Sequence, residues 1–198
     1  MKKISLLTLM VMAGFIVTAQ NVNFGLKGGL NLATLNNNQD NNVQNRIGFH
    51  GGLFANIPVS SQIAVQPEVV YSSQGAKYDV GNEDLNLTLN YVNIPLMVQA
   101  MVGQGFYAQA GPQLGILTGV ADKINDTEIG ATDINDFKKT DVALGFGLGY
   151  KGLSGFGIDA RYNLGLTDIN NSGRSANIKN NVLQIGLQLQ LGGSGKRF

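Results

Sequence analysis

The segment running from Asp141 to Asp168, DVALGFGLGYKGLSGFGIDARYNLGLTD, constrains the fold more than any other stretch of the chain. From Val142 to Tyr150 every second residue is apolar and large: Val142, Leu144, Phe146, Leu148 and Tyr150. Between them stand Ala143, Gly145, Gly147 and Gly149. After a glycine turn the pattern resumes with Phe156, Ile158, Ala160, Tyr162, Leu164 and Leu166, against Gly157, Asp159, Arg161, Asn163 and Gly165. A period of two is a strand period, so this is a hairpin with one greasy face and one small, polar or charged face. A soluble half-buried sheet hides its greasy face. A transmembrane barrel shows that face to lipid and encloses the polar one.

The rest of the chain chooses between these inversions. Apolar alternation recurs eight times after Gln20, beginning with Val22, Phe24, Leu26, Leu30 and Leu32 and ending with Leu183, Ile185, Leu187, Leu189 and Leu191. Long polar segments follow the odd runs: Asn36 to Asn45, Gln74 to Asp84, Gly119 to Thr140 and Thr167 to Asn181. Connections of a few residues follow the even ones. Long outer loops and short periplasmic turns sort this way in outer-membrane barrels. A soluble ligand-binding barrel would also point its large apolar residues inward. Aromatics fall at two levels of the apolar face, Phe24, Phe106, Tyr150 and Phe156 at one end and Phe49, Tyr71 and Tyr162 at the other, as interfacial belts do. In the fourth run the apolar phase shifts, from Leu85, Leu87, Leu89 and Tyr91 to Val92, Ile94, Leu96 and Val98. With a period of two, that predicts a bulge or register break near Pro95.

Composition agrees. Charged residues are 14% of the 198, well below the roughly 25% of soluble domains, as expected where lipid faces the surface. There is no cysteine. Met1-Lys2-Lys3, an apolar run to Val17 and Thr18-Ala19-Gln20 form a secretory signal peptide cleaved after Ala19. Loss of Lys2 and Lys3 from 14 basic and 13 acidic residues leaves a net charge of −1, which excludes the basic surface of a nucleic-acid binder.

Seven ionisable residues have inward parity: Lys27, His50, Glu68, Asp141, Lys151, Asp159 and Arg161. An eight-strand interior is just wide enough for side chains to fill, so these charges should pair as a structural cluster. Arg161 has two candidate partners, Glu68 and Asp141. Other motifs carry less. Gly147 to Gly152 fits GxGxxG, but lies across a strand–turn junction without the helix a dinucleotide needs. The Asp168-x-Asn170-x-Ser172-Gly173 stretch resembles the start of a calcium loop, but Lys179 stands where the closing Glu belongs. His50, the only histidine, has no nucleophile motif beside it. No catalytic, cofactor-binding or metal-binding set emerges.

The segments Gly25–Asn31 (GLKGGLN), Tyr91–Met97 (YVNIPLM), Ala110–Gly115 (AGPQLG) and Arg161–Ile169 (RYNLGLTDI) resemble the PorT-like outer-membrane β-barrel family of Bacteroidetes. So does the Thr18-Ala19-Gln20 signal end. The resemblance covers Gln20 to Leu191 and implies an eight-stranded outer-membrane barrel. It implies no single activity; the founding member is associated with type IX protein secretion, and no functional residue carries over. The chain departs from related barrels at its end, where Gly192 to Gly195 separates Phe198 from the last alternating run.

The expectation is therefore an all-β protein: an eight-stranded antiparallel up-and-down transmembrane β-barrel with long extracellular loops and short periplasmic turns. Residues 1–19 form the signal peptide and 20–198 the barrel. The expected partner is outer-membrane lipid, with the barrel a monomer acting without cofactors. The expected role is non-enzymatic, structural or surface-interacting through the outer loops. The alternatives are an accessory part of a secretion or envelope assembly, a small pore, and a lipid-modifying enzyme using His50.

Overall fold

A computed structural model describes residues 22–37, 43–80, 83–124, 127–128, 130, 132–171 and 178–191. The signal segment 1–19 and the tail 192–198 with Phe198 lie outside the described residues. The strands are β1 (Asn23–Asn37), β2 (Val43–Pro58), β3 (Ile63–Val80), β4 (Glu83–Met101), β5 (Phe106–Ile124), β6 (Thr127–Glu128), β7 (Thr140–Lys151), β8 (Phe156–Gly165) and β9 (Ile178–Leu191). All pair antiparallel. The order is β4-β3-β2-β1-β9-β8-β7-β5, and β4 pairs with β5 to close a ring of eight long strands. Two-residue β6 only pairs with the end of β5 in the outer connection. Closure leaves no strand edge in hydrocarbon, where an unpaired backbone group costs several kcal/mol.

The three turns at the other end are tight. Ser60 Oγ accepts from the Gln62 and Ile63 amides at 3.2 and 3.0 Å. Gly105 and Gly155 both sit at φ +84°, which strongly favours glycine. The GxGxxG stretch ends in the third of these turns, that of Gly155.

Outward positions divide by level. Along the lower part of each strand they are apolar: Phe24, Leu26, Leu30 and Leu32 on β1; Ile94, Leu96 and Val98 on β4; Leu183, Ile185, Leu187 and Leu191 on β9. The aromatics line this band, with Phe106 and Tyr150 in ring contact at 4.8 Å and Phe49 and Tyr71 at 5.9 Å. Five or six outward residues per strand match the 9–11 residues a tilted strand needs to cross the hydrocarbon.

Above the band the pattern inverts, and here two expectations are corrected. Gln74 to Asp84 is not a loop, and Asn36 to Asn45 is a short connection of 38–42 between β1 and β2. β3 and β4 stay paired from Gln74–Leu89 to Val80–Glu83, leaving only 81–82 between them. Nor does β4 change faces. Leu87, Leu89, Tyr91, Asn93, Met97 and Gln99 are all buried, so odd positions point inward without interruption. What changes is the solvent. Below Tyr91 the outside is lipid and the inside polar; above it Asn86, Thr88 and Asn90 face outward, and the inside holds Leu87 and Leu89 with the buried Asp122 among them. A register shift does occur at Asn90/Tyr91, on the β5 side: Gly119 pairs with Asn90 and Leu117 with Tyr91. Thr118 is the extra residue, and its hydroxyl donates to the Asn90 carbonyl at 3.0 Å. The ladder to β3 passes Pro95 without a change of register.

The inversion predicts a depth-dependent tolerance of charge. Leu187→Arg, at a position 65% exposed on the lipid face, should cost about 2–4 kcal/mol, and Thr140→Arg, above the band on β7, under about 1 kcal/mol. Denaturant unfolding in lipid checks this; equal costs would contradict it.

Candidate functional site

The barrel interior is built in layers. At the closed-turn end Asn56 donates to Gln66 and Gln99 at 3.0 and 2.9 Å, and Gln99 donates to Gln66 at 3.1 Å. Gln188 donates to the Tyr107 hydroxyl at 2.6 Å. The inner-face glycines make this possible. A Cβ at Gly149 would strike the Tyr107 ring, and one at Gly25 the Phe54 ring.

Four charges meet in the next layer. Arg161, 1% exposed, grips Glu68 with two nitrogens at 2.9 and 2.7 Å and donates to Gln109 at 3.0 Å. Lys27 lies 3.3 Å from Glu68 and 3.4 Å from Asp159. Gln66 and Gln109 complete the set by donating to Glu68 at 2.9 Å and Asp159 at 3.4 Å. Two cations face two anions, so the layer is neutral. The Arg161 partner is Glu68; Asp141 instead accepts from Thr167 at 2.8 Å and Asn180 at 3.2 Å, nearer the outer end. Lys151 stands apart at the closed-turn end, where its Nζ meets no partner among the described residues. His50 is buried beside the quartet, with Nδ1 2.8 Å from Asn31 Oδ1. Asn31 also bonds Ser72 at 2.9 Å and accepts from Gln184 at 3.1 Å. The histidine faces the lumen rather than lipid.

The outermost layer is mainly apolar, with one buried carboxylate, Asp122, that accepts from the Thr132 hydroxyl at 3.1 Å. Leu35, Ala76, Leu87, Leu89, Tyr91, Leu117, Phe137 and Ile169 form one buried cluster, with Tyr78, Val120, Ile134 and Ile178 against it. Phe137 and Ile169 come from the two longest outer connections, which are stitched together. Lys138 N–H bonds the Ile169 carbonyl at 2.8 Å, and Ile169 N–H bonds that of Ile178 at 2.9 Å. A 3-10 turn, Ile134–Asp136, is capped by Asp133. Asp168 clamps the junction, accepting from the Ile178 and Asn170 amides at 2.9 and 3.1 Å and pairing with Lys138 at 3.2 Å. The Ile178 amide, then that of Asn170 and the Lys138 ammonium, hold its carboxyl below the ordinary value of 3.8. Parity alone identified the polar layers. The apolar one was missed, although the phase shift at Tyr91 marked it.

Among the described residues no three His, Cys, Asp or Glu side chains are grouped to hold a metal ion.

A closed eight-stranded ring, apolar outside and polar within, defines an outer-membrane β-barrel. The chain belongs to the outer membrane protein beta-barrel domain family, which it matches over residues 18–171. Among solved structures it is similar to Neisserial surface protein A (NspA), at 14% identity over 87% of this chain and 100% of that one, with TM-score 0.57. It is also similar to Ail, the attachment invasion locus protein of Yersinia pestis, at 14% identity, 87% and 100% coverage and TM-score 0.50. At these identities the likeness is one of fold. No curated protein sequence matches the chain. The protein resides in the outer membrane, in contact with its lipid.

Breaking the quartet should be costly. Glu68→Gln leaves Arg161 and Lys27 short of an anion and should lose about 3–5 kcal/mol. Arg161→Met with Glu68→Leu should lose less than that single change, as removing a whole pair does. Unfolding in detergent measures both; a loss below about 1 kcal/mol from Glu68→Gln would mean the charges are well hydrated. The Asp168 clamp should respond to acid. Its native pKa is depressed, so its contribution is full above 3.8 and is lost as pH falls through the lower native value. The protection factor of the Ile178 amide should drop over that window, and Asp168→Asn should abolish the pH dependence.

Proposed function

We propose that the protein is a non-enzymatic, sealed outer-membrane barrel, acting as a structural or surface-interaction protein through the part that stands above the bilayer. The observation that carries this reading is the layered interior. A neutral charge quartet and an apolar plug occupy the space through which a solute would pass. The seven inward ionisable residues are structural in this reading, His50 included, since it is committed to Asn31 within the lumen. The extended strands and the stitched connections over the plug form a firm surface facing the outside. Residues 1–19 are the cleaved export signal, and the closed ring works as a monomer.

The four segments quoted above support membership of the PorT-like branch of Bacteroidetes barrels. An accessory role in protein secretion rests on that likeness alone, and a stoichiometric partner recovered from solubilised membranes would be needed to favour it.

Planar-bilayer recording tests the sealed lumen. The folded protein should add no steady conductance, while Leu89→Ser with Phe137→Ser, which opens the plug, should at most produce brief, irregular events through the remaining polar layers. Stable unitary steps from the unaltered protein would overturn the reading in favour of a small pore.

A further inference from the structure

The three turns at the closed-turn end carry no charged residue. Residues 58–62 read PVSSQ, 102–105 VGQG and 152–155 GLSG. Each turn instead exposes one aliphatic side chain: Val59 is 56% exposed, Val102 67% and Leu153 73%. Val59 continues the outward parity of Leu53 on β2, and Val102 that of Ile94, Leu96 and Val98 on β4. The lipid-facing rows therefore run into the turns without a polar break. The opposite end differs, since its connections present exposed Asp133, Asp136, Lys138 and Lys139.

A turn can leave bulk water only if its backbone is paired within the protein. Here the Val59 and Ser60 amides donate to the Ile63 carbonyl at 2.8 and 3.0 Å, Val102 to Phe106 at 3.0 Å and Gly152 to Phe156 at 2.8 Å. The turns are also tied to the strands beside them. Met101 donates to Gln62 at 2.8 Å, Lys151 to Gly105 at 2.7 Å and Gln190 to Gly155 at 2.9 Å. Depth points the same way. Phe106 follows the second turn, and Tyr150 and Phe156 bracket the third, so the aromatic belt that marks the hydrocarbon edge lies at the strand ends. A tip two residues past that edge is about 7 Å further along the strand, or about 5 Å deeper at a tilt of roughly 45°. The headgroup layer of one leaflet is about 5–7 Å thick, so the tips end within it.

We propose that the three turns are an interaction surface for the inner-leaflet phospholipid, immersed in its headgroup layer with Val59, Val102 and Leu153 against the upper acyl chains. The partner is lipid because the turns extend an interface that is already lipid, strand by strand. Uncharged tips with paired backbones suit that layer, whereas the charged connections at the opposite end suit water. The barrel is thereby held at a fixed depth, with its wet part all on the outer side. This goes beyond the sealed-barrel reading, since a conducting barrel could be immersed in the same way.

The test is spin-label relaxation on Val59→Cys, Val102→Cys and Leu153→Cys, each in the full barrel folded into phospholipid nanodiscs, where both faces are open to solvent. Leu187→Cys is the lipid reference and Lys139→Cys the water reference. Heat-modifiable gel migration verifies that each variant is folded. At all three turns the ratio of relaxation by oxygen to relaxation by a water-soluble nickel complex should be shifted from the Lys139 value toward the Leu187 value. Ratios equal to that at Lys139 would overturn the proposal, because the turns would then stand in water. The same labels are read in fragments of the native outer membrane, where the ratios should be unchanged. Loss of response to both agents there would also overturn it, by showing that a periplasmic protein rather than lipid covers the turns.

Discussion

The solvent outside this barrel changes along its axis, and the side-chain pattern follows that change. Within the bilayer nothing in the hydrocarbon can bond a backbone amide, so the ring must close and the outward face must be apolar. Above the bilayer the same strands meet water. There the ordinary logic of a soluble protein returns, with asparagine and threonine outside and leucine, tyrosine and phenylalanine inside. Strand β4 carries both regimes on one unbroken parity. Its odd residues pass from Gln99 and Asn93 in the polar lumen to Tyr91, Leu89 and Leu87 in the plug.

The interior answers to a second constraint. A lumen of eight strands leaves space for side chains and little else, so any charge in it is nearly dry. Arg161, Glu68, Lys27 and Asp159 meet this by mutual neutralisation, and the amides of Gln66 and Gln109 take up further bonding capacity. Such a cluster adds less stability than its contacts suggest, because desolvation opposes the attraction. Its greater effect is on register. A one-residue slip of β8 against its neighbours would carry Arg161 from the lumen to lipid.

Much of this was legible in the sequence. Alternation marks eight strands and the inward parity of the seven ionisable groups, but not the faces of the fourth strand, where apolar residues sit inward above Tyr91 and outward below it. The partner of Arg161 was not legible, because parity assigns a face but not a height. The lengths of β3 and β4 are not legible for a related reason. Residues such as Lys77 and Asn86 look like loop when lipid is assumed outside, whereas they are the wet face of strands β3 and β4, whose other face is Ala76, Tyr78 and Leu87.

A single-cysteine spin-label scan from Asn86 to Gln99 tests the central claim most directly, and the chain has no native cysteine to interfere. The account predicts that odd positions are shielded from both lipid-soluble and water-soluble relaxants throughout. Even positions should respond to the water-soluble agent at 86, 88 and 90 and to the lipid-soluble one at 92, 94, 96 and 98. A change of phase near residue 91, with Leu87 and Leu89 exposed and Thr88 shielded, would contradict it.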